Sequence, residues 1–376
     1  MALAAAFPFA WSCAAFGQGP GRGPLPADLV TSGTLSASQV AEVDAYAKEW
    51  VVQLASEDPL QVRRARKALQ QPLDVPRVSA RFRQEYSRAL APELQRLARN
   101  PRDLVVVNAL VIAGDLATDA GVSILDQSFT DPRPAVRYEA VAGLGRTIDA
   151  IDRSGALESA AAMAILNRLA GAVIDEQDPF VVDRLVRSMM EATEVARGGY
   201  EALRAEGYLK ITSSMSRKIR ALGDARASSG VLESALRITG HLRDGLTAPG
   251  QQAMGSEQVK GAAALGGDLL AYVTDRLAKG DFPPVATGDD EAAAQAKRAQ
   301  RALARELVAN AETIIYFSLS SLGSSPTPTT LAADFERADA NADTRFRDGA
   351  MRIFGRGGVL NSRPFDFAAD RFFPRP

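Results

Sequence analysis

The chain holds one histidine and one cysteine, His241 and Cys13, and this count limits its chemistry before any fold is considered. A nucleophile–histidine relay would have to run through His241 alone. Neither an intrachain disulfide nor a multi-cysteine metal site can form. No glycine-rich phosphate loop, paired-histidine zinc helix or nucleophile elbow occurs in the sequence. His241 follows Gly240 near the expected end of a helix, where an imidazolium would suit the helix dipole, a structural role. One run of oxygens resembles a cation loop: Asp339, Asn341 and Asp343 occupy the first, third and fifth positions, with apolar Phe346 at the eighth. Thr344 replaces the glycine such a loop turns on, and Ala350 the glutamate that closes the shell. Two oxygens are lost, so a polar turn between helices is expected there. No cofactor and no metal are expected.

The sharpest charge feature is residues 63–102, with eleven arginines and lysines against three acidic residues. Arg63, Arg64, Arg66, Arg81, Arg83 and Arg88 are its candidate partner-binding residues. On one shared face they could hold an acidic protein surface or phosphates. Only Phe82 and Tyr86 interleave aromatics among them, too few for stacking single-stranded nucleic acid, so another protein is the expected partner. The net charge of −1 supplies no global field, so any electrostatic recognition must be local.

These side chains need elements to hold them, and the spacing of breaks supplies those. The stretch from Asp131 to Arg146 reads as a turn and a helix. Asp131 suits the cap, Pro132 the first helical position, and Val136, Ala140, Val141 and Leu144 make one apolar stripe. Matching boundaries occur at Asp58-Pro59, Asn100-Pro101 and Asp178-Pro179, at successive intervals of 42, 31 and 47 residues. Six positions after the first residue of each pair comes Arg64, Arg137 or Arg184, with Val106 in the remaining case. Fourteen positions on come the small residues Gly114, Gly145 and Ala192, where helices can approach closely. The 31-residue interval is short for a helix pair, so one helix there is expected to be trimmed.

This pattern resembles the HEAT-repeat family, in which an Asp, often beside a Pro, opens the second helix of each unit and a Val-Arg pair follows. Asp131, Pro132, Val136 and Arg137 carry the resemblance best, and it covers roughly residues 36–200. It implies an α-solenoid, with a ladder between neighbouring repeats formed by Asp58 and Arg64, Asp131 and Arg137, and Asp178 and Arg184. An irregular helical bundle is the alternative.

With 46% hydrophobic but only 6% aromatic residues, an alanine-rich all-α fold is expected over a β-sandwich. Leu3 to Phe16 is an apolar run followed by small residues, which reads as an export signal over residues 1–17, with a periplasmic or extracellular destination; a cytoplasmic one is the alternative. Residues 18–35 read as a linker and 36–210 as the HEAT-like repeats, opened by the capping-box spacing of Ser36 and Gln39. Residues 211–322 read as helices continuing or capping the array, 323–354 as terminal helices, and 355–376 as an arginine- and phenylalanine-rich tail that docks in cis or on a partner. No transmembrane segment is expected after the signal. The sequence thus points to a non-catalytic protein-binding scaffold. Two alternatives are a structural subunit of an envelope assembly anchored by its tail, and an enzyme working with carboxylates alone.

Overall fold

The computed structural model describes residues 23–154, 157–223, 225–247, 254–283, 289–337 and 341–372. The expected export signal and Cys13 lie outside the described residues. Among those described, fifteen α-helices form and no strand does, so the chain is all-α. They are α1 (Ala27–Thr31), α2 (Ala37–Val51), α3 (Pro59–Gln70), α4 (Ala80–Leu97), α5 (Asp103–Leu116), α6 (Asp119–Ser128), α7 (Pro134–Ser154) and α8 (Ser159–Asp175). There follow α9 (Pro179–Glu194), α10 (Glu201–Ala221), α11 (Ser229–Thr247), α12 (Ser256–Ala278), α13 (Glu291–Ser321), α14 (Leu331–Glu336) and α15 (Ala342–Phe354). No helix of the described residues is long and apolar enough to cross a membrane.

The helices stack in two rows. In one, α3, α5, α7, α9, α11 and α13 pack each on the next; we call this the odd row. In the other, α2 packs on α4 and α4 on α6, then α8 on α10, α10 on α12 and α12 on α15. Each helix buries one flank against its own row and one against the other row, and a single continuous core runs between them. This is a helical-repeat solenoid. The Asp- or Asn-Pro boundaries of the sequence all introduce helices of the odd row. The 31-residue interval is accommodated by α6, which has only ten residues. The two-row stacking runs on through α13, well past residue 210.

Local capping follows the sequence closely. Ser36 and Gln39 form the reciprocal capping box at α2, Asp58 accepts from the Leu60 N–H, and Asp178 accepts from those of Phe180 and Val181. One boundary is shifted: α7 begins at Pro134, two residues after the expected Pro132. A residue before proline disfavours the helical region, which keeps Arg133 out of the helix. Asp131 instead closes the turn by accepting from the Arg133 N–H at 2.9 Å. The linker reading of residues 18–35 also needs correction at its end, because Leu29 and Val30 of α1 are buried. Two adjacent apolar residues are too few to show a helical period.

The C-terminal tail folds back on its own chain. Leu360, Phe365 and Phe372 are buried, and a methyl group on Gly267 of α12 would lie 2.5–2.6 Å from atoms of Phe372 and Leu360. Beside that notch sits Asp268, its side chain wholly inaccessible, with Arg371 Nη2 of the tail 3.3 Å from Oδ2 and Arg220 Nε of α10 3.9 Å from Oδ1. Burial pushes the Asp268 carboxyl up to about 6 against the pull of Arg371, Ser216 and Arg220. A tail docked in cis removes Phe365 and Phe372 from water, where they would be an aggregation liability; Phe373 lies outside the described residues.

Because the folded chain holds the Asp268 proton more tightly than the unfolded one, this group favours folding below its ordinary value of 3.8. That contribution is lost as pH rises through about 6. Asp268→Asn keeps the shape and abolishes the titration. Urea unfolding of both proteins from pH 4 to 7 should therefore show the stability of the native chain falling relative to the variant, by on the order of 2 kcal/mol. A difference that stays flat with pH would refute this account of Asp268.

Candidate functional site

Of the residues expected to form the inter-repeat ladder, only Asp131 and Arg137 link neighbouring repeats, and they do so through other pairs. Arg137 does not meet the Asp131 carboxylate. Its Nη1 donates to the Asp131 carbonyl at 2.9 Å, while Nε and Nη2 grip both oxygens of Glu176, ahead of α9, at 2.8 and 2.9 Å. The Asp131 carboxylate holds Arg133 instead, and Arg133 reaches back to the Asn100 carbonyl and to Asp103 at the start of α5. Arg102 makes the same backward reach, to the Ala55 and Ser56 carbonyls. Asp58 and Asp178 cap their helices, and neither Arg64 nor Arg184 makes a hydrogen bond or an ion pair with them. The implied ladder is thus corrected at all three rungs, Arg137 reaching only the Asp131 backbone carbonyl. Asp at a helix cap already has N–H partners two residues away, which meet its needs without an arginine.

The basic cluster is likewise divided by the fold. Arg63, Arg64 and Arg66 belong to α3 in the odd row, whereas Arg81, Arg83 and Arg88 belong to α4 in the other. Arg66 donates to Asn108 of α5 at 3.2 Å. Arg81 and Arg88 share Glu85. Arg83 is buried and closes the end of α5, its Nη1 donating to the Asp115 and Leu116 carbonyls at 2.6 and 3.1 Å. Burial pushes its guanidinium down to about 10. The six arginines do not form one binding face.

His241 lies in the middle of α11 and ties it to α9, a correction to its expected place at a helix end. Its ring stacks on Tyr208 at 5.6 Å, and Nε2 is 2.7 Å from Thr193 Oγ1. The Thr193 hydroxyl donates to the Met190 carbonyl, so it accepts from Nε2–H. Burial lowers the imidazole's proton affinity despite Glu194 and Asp244 nearby, which suits a neutral structural ring. In the resembled cation loop, Asp339 lies outside the described residues. Phe346 and Ala350 are both buried in the core. Among the described residues no group of three or more potential metal ligands converges.

What the structure brings together is an exposed row. Of the seven large apolar side chains exposed among the described residues, four lie near the starts of successive odd-row helices: Leu60 on α3, Leu104 on α5, Tyr138 on α7 and Phe180 on α9. They are 58, 49, 39 and 74% exposed. The helix starts are neighbours in space, as the contacts of Arg102 and Arg133 show for α3, α5 and α7, and Gly230 against Pro179 shows for α9 and α11. Leu60, Leu104 and Phe180 each hold the second position of their helix. Tyr138 stands one turn beyond the equivalent Ala135. The repeated acidic–Pro–apolar order of Asp58-Pro59-Leu60 and Asp178-Pro179-Phe180 was the available signal. The sequence reading passed over it, since burial, not motif, separates a core leucine from an exposed one.

Comparison with known proteins adds no identity. No family model matches the chain, and no curated protein does either. Among solved structures it is similar to two crystal structures of engineered proteins from the Northeast Structural Genomics Consortium. The first has 16% identity and a TM-score of 0.40, covering 74% of this chain and 97% of the other. The second has 14% identity and a TM-score of 0.37, covering 71% and 98%.

The Arg137–Glu176 pair joins consecutive repeats across mostly buried side chains, 19 and 10% exposed. Burial pushes the Glu176 carboxyl up, but the paired guanidinium and the Asp178 N–H hold it below its ordinary value. A double-mutant cycle with Arg137→Ala and Glu176→Ala should give a coupling of about 1–3 kcal/mol in urea unfolding at pH 7. That coupling should shrink as acid protonates Glu176. Additive single effects would show that the pair does not hold the repeats together.

Proposed function

We propose that this protein is a non-catalytic, HEAT-like scaffold that binds another protein through its odd row. One observation carries the reading: the exposed Leu60, Leu104, Tyr138 and Phe180 are set at successive repeats along one edge of the row. Isolated surface leucines need no explanation, whereas a repeated row of large apolar groups marks an interaction site. A solenoid suits this use because each added repeat extends the same surface by one step. The apolar run before residue 17 supports export of the protein to the periplasm or beyond.

The structural-subunit alternative drew on the aromatic tail, and that tail is engaged with α12 and Arg371 with Asp268. A carboxylate-based enzyme would draw on acids displaced upward by burial, and Asp115 and Glu191 are such acids. Asp115, however, is bound by Arg146 at 2.9 Å and Gln70 at 2.7 Å, the pattern of a structural crosslink between α3, α5 and α7.

Affinity capture of tagged full-length protein from its native cell extract, beside the Leu104→Asp/Phe180→Asp variant, tests the scaffold reading. A stoichiometric protein partner held by the native chain and lost from the variant, at unchanged helical circular dichroism, is expected. An equal yield from both would remove the odd row as the binding surface. No partner from either would count against binding altogether.

A further inference from the structure

The charges around the exposed row are not balanced, and the imbalance identifies the chemistry of what fits there. Almost every carboxylate near these helix starts is engaged. Asp58 and Asp178 cap helices, Asp103 and Asp131 hold Arg133, Glu139 holds Arg146, and Asp183 holds Arg187 and Arg237. Arg102, Arg133 and Arg137 are engaged as well, but Arg64 and Arg184 are not. Four residues after Leu60 comes Arg64, and four after Phe180 comes Arg184, each on the same helix flank as its apolar partner one turn away. Neither guanidinium has a hydrogen bond or an ion pair. Arg184 is half-buried, with Nη2 3.0 Å from where a methyl group on Gly145 would lie. Burial and the neighbouring Arg146 disfavour its charge, against the pull of Tyr138, Glu191 and Glu139. A half-buried guanidinium that makes no hydrogen bond keeps its donors for a carboxylate brought to the edge.

We propose that the edge formed by the starts of α3, α5, α7 and α9 takes an extended polypeptide segment in which apolar side chains alternate with carboxylates. Its apolar groups seat on Leu60, Leu104, Tyr138 and Phe180, and its carboxylates pair with Arg64 and Arg184. This rests on the scaffold reading and adds the chemistry of the partner. The geometry suits an extended chain. Helices packed about 8–10 Å apart meet a strand rising about 3.3 Å per residue at roughly every third residue. A planar guanidinium offers paired donors to a carboxylate, and the row excludes water around that pair.

Fluorescence anisotropy with two labelled peptides of about 12 residues tests it on the full-length protein. Both carry leucine at every third position, one with glutamate between and one with lysine. The glutamate peptide should bind and the lysine peptide should not. Phe180→Ala, and separately Arg64→Gln with Arg184→Gln, should each weaken binding about tenfold or more, while the thermal midpoint stays within a few degrees of the native one. Raising the salt should weaken it too. Equal binding of both peptides, no binding of either, or insensitivity to the variants would overturn the proposal. So would preferential binding to phosphatidylglycerol vesicles through the same residues, which would make the edge a membrane contact. If the native partner is still captured through Leu104 and Phe180 while the glutamate peptide fails, the scaffold reading survives and this inference does not.

Discussion

Close approach of the odd-row helices is the constraint on which the rest of the structure depends. A methyl group on Gly114 would stand 2.5 Å from the Gly143 Cα, and one on Gly145 would stand 2.6 Å from Ser188 Oγ. Real side chains do not reach such distances, so α5, α7 and α9 sit as near one another as backbones allow. The Ser188 hydroxyl uses the proximity to donate to the Val141 carbonyl, and Thr147 donates to those of Gly114 and Gly143. Packing at this density transmits any change in one helix to the next. It also sets the step between repeats, and with it the spacing of everything the row exposes.

Stacking helices side by side leaves carbonyls at each helix end without intrahelical partners, and here long cations supply the donors. Arg83 closes α5, Lys218 of α10 donates to the Ile174 and Glu176 carbonyls at the end of α8, and Arg102 and Arg133 reach to the loops before them. Of the eleven basic residues between 63 and 102, Arg83 and Arg102 are consumed in this way, and Arg81, Arg88 and Arg96 on Glu85 and Glu93. Arginine suits the work because one fork serves two acceptors and stays charged where a lysine would give up its proton. The arginine-rich composition therefore serves the architecture in part.

Much of the architecture could be read from residues alone. Capping at Ser36, Asp58 and Asp178, the apolar stripe of Val136 to Leu144, and the short helix within the 31-residue interval are local effects, fixed by neighbours in sequence. Small residues fourteen positions beyond each boundary marked the close contacts correctly at Gly114 and Gly145. Partner choice was less legible. Arg137 finds Glu176, thirty-nine residues away, and Arg371 finds Asp268 across a hundred and three; neither distance leaves any periodic trace. Whether α11 and α13 continue the rows or cap them was left open, because those helices open without an Asp-Pro boundary while keeping the same packing.

The same reasoning explains why the exposed row was missed and why it matters. A leucine at the second position of a helix looks identical in sequence whether it meets the core or water. Only the fold shows that α3, α5, α7 and α9 aim that position away from both rows. Folding gains nothing from large apolar groups left in water, and nothing from a half-buried Arg184 deprived of hydrogen bonds. Unlike Arg83, Arg102 and Arg133, Arg64 and Arg184 take no part in satisfying helix ends and loops. They fall beside Leu60 and Phe180, on one edge and at repeat spacing. Features that do not serve the fold, and that recur together at the period of the fold, are the observations on which the proposed binding edge rests.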